Sequence, residues 1–265
     1  MAGPAAARAA EDRREHDARA ARELRVQRFV QPDDETCGPT CLRKVYAFYG
    51  LQVETDAVVR ALEPNEGGGT LAVFLGVEAL KRGFCARIYS YDLRIFDPTW
   101  FRLPAEALAE KIHDRFPYLM DAKRLAAARA YRDFLCRGGE LAFDELTPGL
   151  FRRIIDRGHP VLAGLSATYL YRMPRERHDE ETDLLVDDDV RGEPTGHFVV
   201  ISGYAQWGRR LVVLDPSEHV PVPDQDRHVV DAQTLINAIL LGDVTYDAVL
   251  LEVWPADQDA GEAPG

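Results

Sequence analysis

Three residue types that together activate a sulfur nucleophile occur in this chain in a workable order. Cys37 lies in Gln31-Pro-Asp-Asp-Glu-Thr-Cys37-Gly-Pro-Thr-Cys41, His197 follows Gly196 in Gly-His-Phe-Val-Val-Ile-Ser-Gly-Tyr204, and Asp215 closes Val213-Leu-Asp215-Pro216. A free thiol has a pKa of about 8.5 and is a weak nucleophile near neutrality. A helix N-terminus and a neighbouring imidazolium both favour the thiolate. Thr36 as a cap and Pro39 in a first turn predict that Cys37 starts a helix. His197 is the candidate base, and Asp215, at the end of the strand that returns from it, is the candidate that fixes the imidazole's tautomer and orientation. Acyl transfer also needs donors for a developing oxyanion. The backbone N–H of Cys37 is one, and the side-chain amide of Gln31, six residues earlier, is the other.

Each residue taken singly has an ordinary explanation. A cysteine on an apolar helix face is more often a small buried hydrophobe than a nucleophile, which suits Cys41, Cys85 and Cys136. A lone histidine opening a strand is usually structural, an Asp-Pro at a strand end is usually a turn, and a single glutamine carries no signal. The ordered set of Gln31, Cys37, His197 and Asp215 shifts the balance towards chemistry.

The elements that must position this set can be read from periodicity. Cys37, Cys41, Val45, Phe48 and Tyr49 share one helical face, and Gly50 ends the helix. Helices are expected over 55–62, capped by Thr55, and over 71–82, capped by Thr70, with a strand over 85–91. Residues 104–116 and 122–137 have helical composition, and Thr147-Pro148 starts a helix through Arg157. Strands follow at 161–166, 197–204 and 209–214, the last two joined as a hairpin through Ala205-Gln-Trp-Gly208. A helix over 231–241 and a strand over 246–253 complete the pattern. Residues 169–194 read as an irregular exposed loop, acidic over 179–193 and without the spacing of a calcium loop.

The 265 residues divide into a charged helical or disordered arm over 1–26, one domain over 27–255 with a mainly helical insertion at about 92–146, and a loose tail over 256–265. Gly67-Gly-Gly-Thr70 is a turn and not a phosphate loop, because no Lys-Ser or Lys-Thr pair follows it. Forty-four acidic against 32 basic residues give a net charge of −12, which argues against nucleic acid or an anionic membrane as partner. No apolar run of about 18 residues is present, and the N-terminus lacks the apolar core of a secretory signal. Four cysteines without metal-ligand spacing imply neither a disulfide scaffold nor a metal site, so a cytoplasmic protein with reduced thiols and no cofactor is expected.

Gln31-x5-Cys37-Gly-Pro-Thr-Cys-Leu, followed by Tyr-Ala-Phe-Tyr-Gly50, resembles the start of the peptidase C39 and C39-like families. Gly196-His197-Phe-Val-Val-Ile-Ser-Gly-Tyr and Val213-Leu-Asp215-Pro resemble the later blocks, and Gly67-Gly-Gly-Thr70 with the helix after it resembles the middle segment. The resemblance spans roughly 26–91 and 147–253. It implies an α+β, papain-like cysteine peptidase fold, in which an N-terminal helical part carries the nucleophile helix packed on an antiparallel sheet. It also implies that Cys37 is the nucleophile, His197 the base, Asp215 the orienter and Gln31 the oxyanion donor.

The chain departs from the family pattern at three points. Thr36 stands where many members have an acidic residue, and the span from Cys37 to His197 is lengthened by the helical insertion. No ATPase motif is present, so the chain reads as a stand-alone member and leader-peptide processing is not carried over. The reading is a thiol peptidase or amidase acting on a peptide or amide-bearing substrate through a thioester. An acyltransferase using the same acyl-enzyme and a non-catalytic binding module on the same scaffold are the alternatives.

Overall fold

The computed structural model describes residues 20–62, 70–182, 184–222, 227–242 and 248–258. The glycines at 67–69, most of the N-terminal arm and the tail from 259 onward lie outside the described residues. The architecture is mixed α+β, built on one sheet with helical layers on both faces. The strands are β1 (Arg22–Glu23), β2 (Phe84–Ser90), β3 (Glu140–Ala142), β4 (Val161–Ser166), β7 (Gly196–Ala205), β8 (Arg210–Leu214), β9 (His228–Asp231) and β10 (Val249–Pro255). Two further strands, β5 (Glu176–Asp179) and β6 (Leu184–Asp187), form a separate hairpin. The main order is β3-β2-β10-β4-β7-β8-β9, antiparallel throughout except for β2 with β3.

Alternation along the central strands divides the core in two. Phe198 and Val200 of β7, with Leu162, Leu214 and Leu251, face one layer. Val199 and Ile201, with Ala163, Val213 and Leu250, face the other. A strand buried on both faces reads as a continuous apolar run, which is what Phe198–Ile201 is. The first layer contains α1 (Cys37–Phe48), α2 (Thr55–Ala61), α3 (Ala72–Lys81), α4 (Ala105–Arg115) and α5 (Ala122–Cys136). The second contains α6 (Pro148–Asp156), α7 (Ala167–Tyr171) and α8 (Ala232–Leu241). In α6, Leu150, Phe151, Ile154 and Ile155 are buried on one face. Each such side chain contributes roughly 1.5–3 kcal/mol by leaving water.

Several local expectations are corrected. Thr36 does not cap α1: its hydroxyl donates to the Asp33 carbonyl at 3.3 Å. Neither Thr55 nor Thr70 caps the next helices, which start after Glu54 and Leu71 with no capping side chain. Thr147 does cap α6, accepting from the Leu150 N–H at 3.3 Å. The stretch 169–194 is not irregular throughout, since it holds the end of α7 and the β5–β6 hairpin. The last residues of the N-terminal arm are not free either. Arg22 and Glu23 pair with Tyr204 and Gly203, on the side of β7 where β4 ends at Val161↔Ile201. Gly203 permits this, because a Cβ there would lie 2.5 Å from the Arg22 carbonyl oxygen.

Candidate active site

The first turn of α1 and the open ends of β7 and β8 meet at one edge of the sheet. Cys37 is the first residue of α1, and the helix buries Gly38, Pro39, Thr40, Cys41 and Leu42 behind it. Gly38 matters for this approach. A Cβ on it would stand 3.3 Å from the Phe198 ring and 3.2 Å from Leu75, so a larger residue would push the helix start away from β7. Because no side chain caps α1, its first-turn N–H groups are not taken up by a cap. Cys37, Gly196, His197 and Phe198 line a cleft of about 130 Å³, with Asp34, Glu35, Thr70, Leu71 and Lys123 around it. Lys123 belongs to the first turn of α5, so the long helical segment between β2 and β3 reaches the cleft.

His197 is buried, and its Nε2 lies 2.9 Å from Asp215 Oδ1. Cys37 lines the same cleft, and with Nε2 on Asp215 the Nδ1 of His197 is the ring nitrogen left for a further partner. Burial alone disfavours the imidazolium, but the Asp215 carboxylate and Cys37 outweigh it and push the His197 pKa up to about 10. An imidazolium held beside a thiol is the arrangement that favours a thiolate. Asp215 itself is held below the usual carboxylate range. Burial raises it, but His197, the Tyr171 hydroxyl and the Ser217 N–H outweigh burial. The Ser217 N–H donates to Oδ1 at 2.8 Å, and the Tyr171 hydroxyl donates to Oδ2.

The structure thus brings Cys37, His197 and Asp215 together. Gln31 is tethered close by, since its backbone N–H donates to the Pro216 carbonyl at 2.8 Å. Its side-chain amide is turned to the Asp33 carbonyl at 2.9 Å, and Gln31 is not one of the residues lining the cleft. Cys41 is fully buried and donates to the Phe198 carbonyl at 3.3 Å, and burial pushes its thiol well above the usual value. All four cysteines are free thiols.

Two neighbours of Asp215 escaped the reading of the sequence. Tyr171 falls within the stretch that reads as a loop, yet it is the last residue of the short helix that follows a buried strand. Lys44 is buried two turns after Cys37, and its Nζ donates to the Asp215 carbonyl at 3.0 Å. A signal for Lys44 was available: it shares the apolar face of α1 with Cys37, Cys41, Val45 and Phe48, where a charged residue has to find a partner. Among the described residues no helix is long and apolar enough to cross a membrane, and no cluster suited to a metal ion is present.

No family model matches the chain, and no curated protein matches it. Two solved structures are similar in layout. One is the peptidase domain of Streptococcus ComA, a bifunctional ABC transporter of a quorum-sensing pathway. It is 14% identical with a TM-score of 0.40, covering 87% of this chain and 99% of that one. The other is a Bacillus anthracis protein assigned to the C39-like peptidases, 13% identical with a TM-score of 0.41, covering 87% of this chain and 94% of that one. At these scores neither likeness bears on the chemistry, which rests on the residues themselves.

Proposed function

We propose that this chain is a cysteine peptidase or amidase of the C39-like, papain-like type, with Cys37 as nucleophile, His197 as acid and base, and Asp215 as the group that orients His197. The observation that carries this reading is a buried imidazole with one ring nitrogen committed to a buried carboxylate, on the wall of an open cleft that also holds the thiol of Cys37. That placement suits a histidine whose second nitrogen serves the thiol.

The Cys37 sulfur attacks an amide carbonyl carbon, forming the S–C bond and an oxyanion. The uncapped N–H of Cys37 donates to that oxygen. Gln31 supplies the second donor once its amide turns from the Asp33 carbonyl to the cleft. His197 gives its proton to the leaving nitrogen as the C–N bond breaks. It then takes a proton from water, which attacks the thioester; the S–C bond breaks, releasing the acid and leaving the Cys37 thiolate beside the imidazolium. The partner is a peptide or amide-bearing substrate. Four free thiols suit a reducing compartment, so we place the protein in the cytoplasm.

Incubation of the purified protein with a peptide library, read by mass spectrometry, tests the reading. New peptide termini should appear with wild-type protein and vanish with Cys37→Ala. Cleavage that persists in Cys37→Ala would remove Cys37 from the chemistry, and no cleavage at all would remove the peptidase activity.

A further inference from the structure

Tyr171 reaches the site from the layer opposite the nucleophile helix. It is buried at the end of α7, and its hydroxyl donates to Asp215 Oδ2, while His197 and the Ser217 N–H hold Oδ1. We propose that Tyr171 is a positioning residue for the catalytic set: its hydroxyl fixes the rotation of the Asp215 carboxylate, so that Oδ1 stays aimed at His197 and keeps that ring turned to Cys37. The inference rests on the peptidase reading and extends it to a residue that touches neither sulfur nor substrate.

The physical case has three parts. A carboxylate on a two-bond side chain turns freely about its last torsion unless both oxygens are engaged. Without Tyr171, Oδ2 would be a buried acceptor with no partner, and the group would be free to rotate or to take up a proton. The Tyr171 hydroxyl also keeps its proton at neutral pH. Burial and the adjacent Asp215 charge push the phenol well above its usual value, so it is a donor throughout the neutral range. The other groups facing this assembly do different work. Lys44 of α1 holds the Asp215 main-chain carbonyl, Cys41 of α1 stays an uncharged thiol, and His228 of β9 lies 3.4 Å from the Tyr171 oxygen, not at Asp215.

The test is the pH profile of Cys37 alkylation by iodoacetamide, which needs no knowledge of the substrate. Tyr171→Phe removes one oxygen at constant ring volume. Its Asp215 should take up a proton at higher pH, moving the acid limb of the Cys37 profile up by about one pH unit, the size of one lost charge-assisted hydrogen bond. Tyr204→Phe, which deletes a hydroxyl on Asp156 outside the site, should leave the profile in place. Wild-type protein gives a mutation-free reading in case the variant does not fold: the NMR signals of the Tyr171 ring should titrate with the same midpoint as the acid limb. A Tyr171→Phe profile that overlays wild type, or a Tyr171 ring that titrates independently, overturns the proposal. A wild-type Cys37 no more reactive than the exposed Cys136 would instead overturn the peptidase reading beneath it.

Discussion

Asp215 and Glu252 occupy nearly identical surroundings and do different things. Both carboxylates are buried in the sheet, both accept from a tyrosine hydroxyl, and both sit against a histidine. Asp215 has Tyr171 and His197, and Glu252 has Tyr89 at 2.9 Å and His159 Nδ1 at 2.6 Å. Both are held below the usual carboxylate range. They differ in what lies on the far side of the histidine. The His159 ring stacks on Trp254, 5.4 Å between centroids and nearly parallel, while His197 shares the cleft with the thiol of Cys37. They also differ in how the charge is balanced. Arg157 grips both oxygens of Glu252 at 2.7 and 2.8 Å, and Arg87 approaches at 3.7 Å, so guanidinium groups neutralise it. Within hydrogen-bonding reach of the Asp215 carboxylate, the imidazolium is the partner that carries positive charge. A buried histidine–carboxylate pair is therefore no mark of catalysis in itself. Among the described residues the two clusters differ in the neighbour of the histidine ring, Trp254 for His159 and the cleft with Cys37 for His197, and in the cations beside the carboxylate, guanidinium groups at Glu252 and the Lys44 ammonium on the main chain of Asp215.

Substitutions at equivalent places should separate the two clusters. Asp215→Asn leaves shape intact but no longer holds His197 protonated, so peptide turnover should fall by about 10⁴-fold, the loss typical of this change in a triad. Glu252→Gln should leave turnover of the same peptide near wild type, and a comparable fall there would merge the two clusters into one site. Chemical denaturation should rank them in the opposite sense. Glu252→Gln leaves Arg157 without its counter-charge, while Arg87 keeps Glu140, and should cost about 1–3 kcal/mol of stability.

The next effect is smaller and bears on the half of the site outside the His197–Asp215 pair. Gln31→Ala should lower turnover by about 10²-fold while Cys37 alkylation stays close to wild type, because an oxyanion donor acts on the tetrahedral intermediate and not on the thiol. Unchanged turnover would leave Gln31 with its structural tie to Asp33 alone.

The last comparison is the pH dependence of stability, in which His197 and Glu252 act with opposite signs. The folded pKa of His197 is raised to about 10. Its contribution is fully present below the unfolded value of about 6.5 and is lost as pH rises through the folded value. Glu252 is lowered, so its contribution is present above the unfolded value of about 4.3 and is lost as pH falls through the folded one. Melting temperatures recorded against pH should show an alkaline decline that His197→Gln flattens and an acid decline that Glu252→Gln reduces. An alkaline decline unchanged in His197→Gln would contradict the charged histidine.

The sequence was most legible where function is local. Cys37 at a helix start and the succession of His197 and Asp215 on neighbouring strands follow from short motifs and period-two alternation, and the structure joins them. The two buried layers follow from the same apolar runs. What stayed hidden depends on distant pairing. Tyr171 meets Asp215 across 44 positions of chain, and nothing in its neighbourhood announces the contact. Glu252 sits inside the apolar strand Val249–Pro255, where its need for Arg157 and His159 was visible only as an out-of-place charge. The pairing of Arg22 and Glu23 with β7 is too short to show alternation, and Gly203 was its one trace. Thr36 failed as a cap because its hydroxyl turns back to the Asp33 carbonyl, and that choice is settled by the turn and not by the residue type.

Competitive labelling of the four cysteines with iodoacetamide at pH 6, resolved by peptide mass spectrometry, tests the central claim most directly. Cys136 is exposed, and access alone would make it label before Cys37. With His197 holding its proton beside the sulfur, Cys37 should label on the order of 10²-fold faster than Cys136. That advantage should disappear in His197→Ala. Labelling of Cys136 at the same rate as Cys37 or faster, or a Cys37 rate unmoved by His197→Ala, would contradict it.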